Sequence, residues 1–369
     1  MAGLIDIELA RPDLAKLGPR WRELEARAGC SFFQGWTWTG CLAAERYPDP
    51  ILLAARDARD DKVLGLFNQR PVLPELACLW LGESGDRKLD SIFIEHNGLL
   101  AEAGLPESCI TACLCAARTA PIAGAQPLVA RRLMLSGISG TGVLASVGSA
   151  GRLLRSRMAP FIDLDAVRGS GTDYLNTLSA NTRQQLRRSD RAYAAIGPLA
   201  VRRAASAAEA HQFLDALALL HQARWSERGR PGAFAAPFFR RFHHALIERG
   251  LPRGEIDLLR VTAGELVIGY LYNFRYRGQA LAYQSGFDYL GADKHQKPGL
   301  TCHHAAIRQY LADGIDRYDF LAGDDRYKRS LSSGTAALHW LEIGAPWAPR
   351  RVLSRLRQHG FNLDRSGCH

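Results

Sequence analysis

A chain of 369 residues, 47% hydrophobic and 23% charged, is long enough for two domains with full cores. The formal net charge of +10 calls for an anionic partner, be it the phosphates of coenzyme A, a nucleic acid, an acidic polymer or a membrane surface. The longest uncharged stretch, Leu133 to Gly151, is too rich in glycine and serine for a membrane span. The eight cysteines form neither an even disulfide framework nor a zinc spacing, and Cys109, Cys113 and Cys115 read as reduced core residues. With no signal-peptide pattern at Met1 to Asp6, a soluble, cytoplasmic protein is expected.

Residues 4–9 read as a strand and Asp13 to Ala28 as a helix striped by Leu14, Leu17, Trp21 and Leu24. An aromatic block, Phe32 to Trp38, leads into a second helix through Leu42 and Ala44. Strands follow at Ile51 to Ala55, Val63 to Phe67 and Ala77 to Leu81, then a helix at Glu107 to Arg118 and a strand at Leu128 to Leu135. The region 136–151 reads as a loop or flexible hairpin, and Arg155 to Leu164 as the strand that closes this half. The second half opens with a helix from Asp173 to Ala195, N-capped by Ser179 or Asn181. A strand at 199–203 and a helix from Ala207 to Trp225 follow, then a glycine-proline break at 229–232 and a helix from Pro237 to Arg249. Three alternating runs, Ile256 to Val261, Leu266 to Phe274 and Ala280 to Phe287, predict an antiparallel meander. After a polar loop come a helix at Leu300 to Ala312, a strand at Tyr318 to Ala322, the turn Gly323 to Lys328 and a strand at Leu338 to Ile343. A basic helix carrying Arg350, Arg351, Arg355 and Arg357 ends the chain. Both halves run strand, helices, strands, helix, strand, which predicts an α/β chain built from two copies of one fold, residues 1–170 and 171–345, with a basic tail at 346–369.

This order is that of the GNAT acyltransferase fold. Arg183 to Arg191, Arg224-Trp225 with Gly229 and Phe234, Tyr283 to Phe287, Pro298-Gly299, and Asp319-Phe320 with Gly323, Tyr327 and Lys328 together resemble the CelD/BcsL-like acetyltransferases over residues 175–330. That family is associated with exopolysaccharide and cellulose synthesis and is related to the tandem-GNAT FemAB aminoacyl transferases. The resemblance implies two tandem GNAT-like domains, each a mixed, mostly antiparallel sheet flanked by helices, the first degenerate and structural or acceptor-binding. It implies direct transfer of an acetyl or other acyl group from acetyl-CoA or another acyl-CoA to an amine or hydroxyl, such as a saccharide precursor, without metal. Polysaccharide-synthesis machinery is the implied protein partner. The loop Gly291 to Gly299 departs from the GNAT pattern in lacking spaced glycines, although Lys297, Pro298 and Gly299 still open a helix whose free amides suit a phosphate. A FemAB-like transferase drawing on charged tRNA is therefore the alternative, and a non-catalytic subunit of a polysaccharide-synthesis complex is a third reading.

Thioester chemistry needs a base for the acceptor, a polarised carbonyl and an acid for the leaving thiolate. Asp319 and Asp324, at the end of a strand bordering the cleft, read either as that base or as anchors of the glycine turn. Tyr327 reads as the acid or as a core tyrosine; Lys328 pairs with one of the aspartates or binds substrate. Gln284, Ser285 and Gly286 lie where the third meander strand would accept a pantetheine amide, or form a bulge without chemistry. Arg183, Arg187 and Arg191 share one helix face, suited to an acidic ligand or simply solvated. Arg224 and Trp225 flank the break that would gate the acceptor. The pairs His243-His244 and His303-His304 point about 100° apart on their helices and make no metal site.

Overall fold

Alternating apolar residues give strands and 3.6-residue stripes give helices along most of the chain, and the computed structural model describes residues 5–73, 76–124, 130–139, 151–323 and 325–344. In chain order the first half holds β1 (Asp6–Ala10), α1 (Leu14–Arg27), α2 (Trp36–Glu45), β2 (Pro50–Arg56), β3 (Asp61–Leu73), β4 (Leu76–Leu81), β5 (Leu100–Ala101), α3 (Glu107–Thr119), β6 (Ile122–Ala123), β7 (Ala130–Ser139) and β8 (Gly151–Asp163). The second holds α4 (Leu164–Gly169), α5 (Tyr174–Thr177), α6 (Ala180–Ala194), β9 (Leu199–Arg203), α7 (Ala207–Glu227), α8 (Pro237–Gly250), β10 (Ile256–Ala263), β11 (Leu266–Tyr276) and β12 (Gln279–Phe287). It ends with α9 (Pro298–Ala312), β13 (Arg317–Asp319), α10 (Arg326–Leu331) and β14 (Gly334–Ile343). The expected α/β class holds: one mixed sheet is flanked by helices, and a shared series of strand, two helices, three strands, helix and two strands runs through each half with short extra elements inserted.

Several boundaries differ from the sequence reading for local reasons. The helix expected over 173–195 is two, because Asp173 and Ser179 each turn the chain and cap their own helix, accepting from Leu175 N at 2.7 Å and Thr182 N at 3.3 Å. The strand expected to reach Ala322 stops at Asp319, since Leu321 adopts a positive φ of 58° and its amide turns back onto the Asp319 carboxylate. Helix α10 has no counterpart in that reading, and β14 starts at Gly334 rather than Leu338. The basic C-terminal helix and Asp324 lie outside the described residues, as does most of the 136–151 loop.

The sheet runs β6-β1-β2-β3-β4-β7-β14-β8-β13-β12-β11-β10-β9. Each half is an antiparallel meander with a parallel pair at its inner end, β4 with β7 and β12 with β13, and the first half adds a second parallel pair, β1 with β6, at its outer edge. At the seam the halves exchange final strands: β14 lies beside β7, and β8 beside β13. Hydrogen bonding is thereby continuous from one half into the other. One core also spans the seam. Phe32 stacks on Phe274 with centroids 4.3 Å apart, and Trp38 meets Phe242 at 5.2 Å and Tyr283 at 6.0 Å. Fully burying each such ring contributes about 1.5–3 kcal/mol, so the aromatic block of the first half is cemented to the meander of the second. Tyr276 Oη adds a 2.7 Å bond to the buried Glu25 carboxylate of α1, and Arg277 donates to the Glu25 and Ala28 carbonyls.

Gly286 of β12 faces the α7 backbone, where an added Cβ would lie 2.3 Å from the Leu217 carbonyl oxygen. Gly286→Ala is expected to destabilise the protein by about 1–3 kcal/mol in urea unfolding. Gly29→Ala, with nothing within 4 Å of its Cβ position, is expected to leave the transition unchanged.

Candidate active site

The parallel strands β12 and β13 pair at only three positions, Gln279 with Arg317, Ala280 with Tyr318 and Leu281 with Asp319. Beyond them β12 continues against β11 alone, while the chain after Asp319 leans toward β8 through Phe320 N to Pro160 O at 2.9 Å and Gly323 N to Met158 O at 3.2 Å. Tyr283 is the extra residue of a bulge, because Tyr272 opposes Gln284 and Asn273 opposes Ala282. A bulge bends its strand and sharpens its twist, so the two strands diverge as a fork.

Helix α9 begins near the open end of β12, with Pro298 at its first position. Helix α6 braces that start: Ser189 Oγ accepts from Lys297 N and shares a hydrogen bond with Thr301 Oγ1, both at 2.8 Å. Asp190 takes Thr301 Oγ1 at 2.9 Å and His304 Nδ1 at 2.7 Å. The amides of Gly299 and Leu300 have no hydrogen-bond partner among the described residues, leaving donors and the positive end of the helix dipole for an anion.

On the α9 face of the fork, His303 is buried with Nδ1 2.9 Å from Tyr318 Oη, and its ring stacks on Tyr327 at 5.3 Å. Burial pushes His303 down to about 3, keeping it neutral, and pushes the Tyr327 phenol up, keeping it protonated. Lys328 Nζ donates to the carbonyls of Phe320, Leu321 and Ala322 at 2.8, 3.3 and 3.1 Å. It therefore holds the turn through backbone oxygens and makes no ion pair with Asp319, correcting that part of the expected pairing. Burial lowers its ammonium pKa and raises that of the neighbouring Glu95 carboxyl.

Asp319, Tyr327, Lys328, Gln284, Ser285, Gly286, Pro298 and Gly299 thus gather around the fork or the α9 terminus that opens beside it. Asp319 is fully buried; its Oδ1 accepts from Leu321 N at 2.8 Å, so it anchors the turn. The small side chain at Gly286 accommodates α7, and the Ser285 carbonyl accepts from His221 Nδ1 at 3.1 Å. Arg224 lies 4.5 Å over the Tyr289 ring, whose hydroxyl approaches Gly299, while Trp225 covers the 229–232 turn from a ring 5.7 Å from His221. Arg183, Arg187 and Arg191 lie on the outer side of α6; none ion-pairs with a described residue, and Arg191 Nε donates to the Arg187 carbonyl at 3.1 Å. Sequence reasoning missed Glu95 and His96. They follow an apolar run inside a loop, and nothing local indicates that they reach Asp319 and Ala322.

Among the described residues no group of three or more His, Cys, Asp or Glu could hold a metal ion, and no helix is long and apolar enough to cross a membrane. Residues 180–329 match the Acetyltransferase (GNAT) domain family. The sequence matches none of the curated proteins. The fold is similar to that of FemX at a TM-score of 0.62 and 11% identity, over 95% of this chain and 99% of FemX. It is also similar to L-PGS from Bacillus licheniformis, at 0.52 and 9% identity over 95% of this chain and 97% of that one. A conserved protein of unknown function from Bacteroides thetaiotaomicron shares it at 0.54 and 8% identity, over 92% of this chain and all 100% of that one. Residues 180–329 are thus similar to a GNAT acetyltransferase domain, and the fold around them is one that these structures share along nearly their whole length.

His303 binds a proton near 6.5 when unfolded but only near 3 when folded. Its contribution to stability is complete above the first value and is lost as the pH falls toward the second, by about 1.4 kcal/mol per unit. Urea midpoints measured across that window are expected to fall with acidity, and His303→Gln is expected to flatten the slope.

Proposed function

We propose that the fork between β12 and β13 is the acyl-transfer site of a CelD/BcsL-like enzyme, with an acyl-CoA thioester lying between the strands. The observation that carries this reading is the brief pairing of those strands, which leaves the edge of residues 282–287 without a partner strand and, apart from the Ser285 carbonyl that accepts from His221, open to a pantetheine amide. The CoA phosphates bind the Gly299 and Leu300 amides with help from the exposed Lys297. An acceptor amine or hydroxyl attacks the thioester carbon, a C–N or C–O bond forms, and the C–S bond breaks. The acceptor's proton goes to a base at the fork, and the thiolate takes a proton from the Tyr327 phenol. No residue of the chain is acylated in this scheme. The first half serves acceptor binding and support, a saccharide precursor is the acceptor class, and the cytoplasm is the site of action.

A charged-tRNA donor is the second reading, favoured by the outer face of α6, where Arg187 and Arg191 are exposed without acidic partners among the described residues. Acyl-CoA esters of increasing chain length are expected to raise the melting temperature, by an equivalent of about 2.7 kcal/mol at a hundredfold excess over Kd, and to release free thiol with glucosamine or water as acceptor. Tyr327→Phe is expected to lower kcat without changing that stabilisation. Indifference to every ester, together with tRNA binding that weakens steeply with salt, reverses the choice of donor.

A further inference from the structure

The fork has two faces, and the machinery described so far lies on the α9 side. On the opposite face the first half lays residues 91–97 across the opening. That segment is tied to β12, since Phe93 N donates to Tyr283 Oη at 3.2 Å, and to the outgoing chain, since Glu95 Oε2 accepts from Ala322 N at 2.5 Å. Its far end is locked into the first half: Asn97 N donates to Gly137 O at 2.9 Å, and Asn97 Nδ2 to Leu81 O and Ser136 O at 3.1 and 3.0 Å. Between these anchors His96 is held at a φ of 48°, a left-handed conformation that a non-glycine residue keeps only under tertiary constraint. Ser31 Oγ fixes it further by donating to the His96 carbonyl at 2.5 Å.

The imidazole is aimed at the fork. His96 Nε2 lies 3.2 Å from Asp319 Oδ2, the two atoms being buried and not yet aligned as a hydrogen bond. Nδ1 has no hydrogen-bond partner among the described residues and is not among their buried unpartnered atoms; the side chain keeps 14% of its exposure while Asp319 keeps none. A carboxylate behind one nitrogen holds the proton there and leaves the other nitrogen's lone pair outward. Such contacts are often loose before substrate binds. Glu95 is a poorer base, being fully enclosed, bonded to Ala322 N and placed near Lys328. The charged groups facing His96 are Glu95 on its own segment, Asp319 and Arg317 on β13, and Lys328 on α10, with Arg155 and Arg157 of β8 behind Glu95 and Lys328.

We infer that His96, supplied by the first half, is the proton acceptor for the acyl acceptor at the fork of the second half, and that Asp319 is a positioning residue. This rests on the fork being the transfer site. As the acceptor nitrogen or oxygen bonds to the thioester carbon, its proton passes to His96 Nδ1, and the C–S electron pair leaves with the thiolate, which is protonated from the opposite face. The first half thereby becomes part of the catalytic apparatus, although it holds no fork of its own in the reaction.

The full chain is assayed for thiol release from the best acyl-CoA ester, with glucosamine or water as acceptor, across pH. His96→Gln is expected to lose about a hundredfold in kcat and the ascending limb of the kcat/KM profile, while the thermal stabilisation by that ester stays at the wild-type value. His96→Gly suits the left-handed backbone and is expected to regain rate when imidazole is added. Asp319→Asn is expected to retain the limb and lower kcat with KM and the stabilisation by that ester unchanged. A His96→Gln enzyme that keeps the wild-type rate and limb overturns the assignment of the base and leaves the fork reading standing. Wild-type protein that releases no thiol from any ester overturns the fork reading, and this inference with it.

Discussion

Two parallel strands that hydrogen-bond for three residues and then separate are the constraint on which the rest of this structure turns. Unpaired strand edges inside a protein are costly, so the divergence has to be enforced from both sides. On β12 the enforcing element is the Tyr283 bulge. On the other side it is the turn after Asp319, where a carboxylate accepts from the Leu321 amide and a buried lysine gathers three successive carbonyls. Each of these side chains spends its hydrogen bonds on backbone geometry. The groups that border the opening they create are left free for the proposed chemistry.

The exchange of final strands gives the first half a structural reason to persist. With β14 beside β7 and β8 beside β13, separating the halves would break the sheet at its centre. The shared aromatic cluster around Phe32, Trp38, Phe274 and Tyr283 ties the same halves on one face. Rigid attachment at both levels allows a loop of the first half to be positioned against a strand of the second within hydrogen-bonding distance. A flexible tandem would not hold His96 beside Asp319.

Burial also sets protonation around the opening. His303 is kept neutral and the Tyr327 phenol protonated, while the Glu95 and Lys328 shifts both move toward their uncharged forms. Surroundings of such low polarity strengthen the dipoles that remain. The basic residues lie elsewhere, on the exposed side of α6 and at the start of α9, where positive charge suits a phosphorylated ligand of the proposed kind without entering the core.

Local patterns in the amino-acid sequence were sufficient for most elements. The alternating runs of the meander, the Pro298-Gly299 helix start and the cap at Ser179 all act within a few residues, so their consequences can be read residue by residue, whereas the separate short helix capped by Asp173 is not legible in this way. The same patterns singled out the stretch from Glu255 to Lys328, because three alternating runs, a helix start and a glycine turn occur there in order. Tertiary structure alone decided which strands pair, that the last strand of each half crosses to the other, that Lys328 binds carbonyls rather than Asp319, and that His96 faces that aspartate. Element type is written in short-range periodicity, whereas strand partners and buried neighbours are selected by packing between segments far apart in the chain, for which adjacent residues carry no signal.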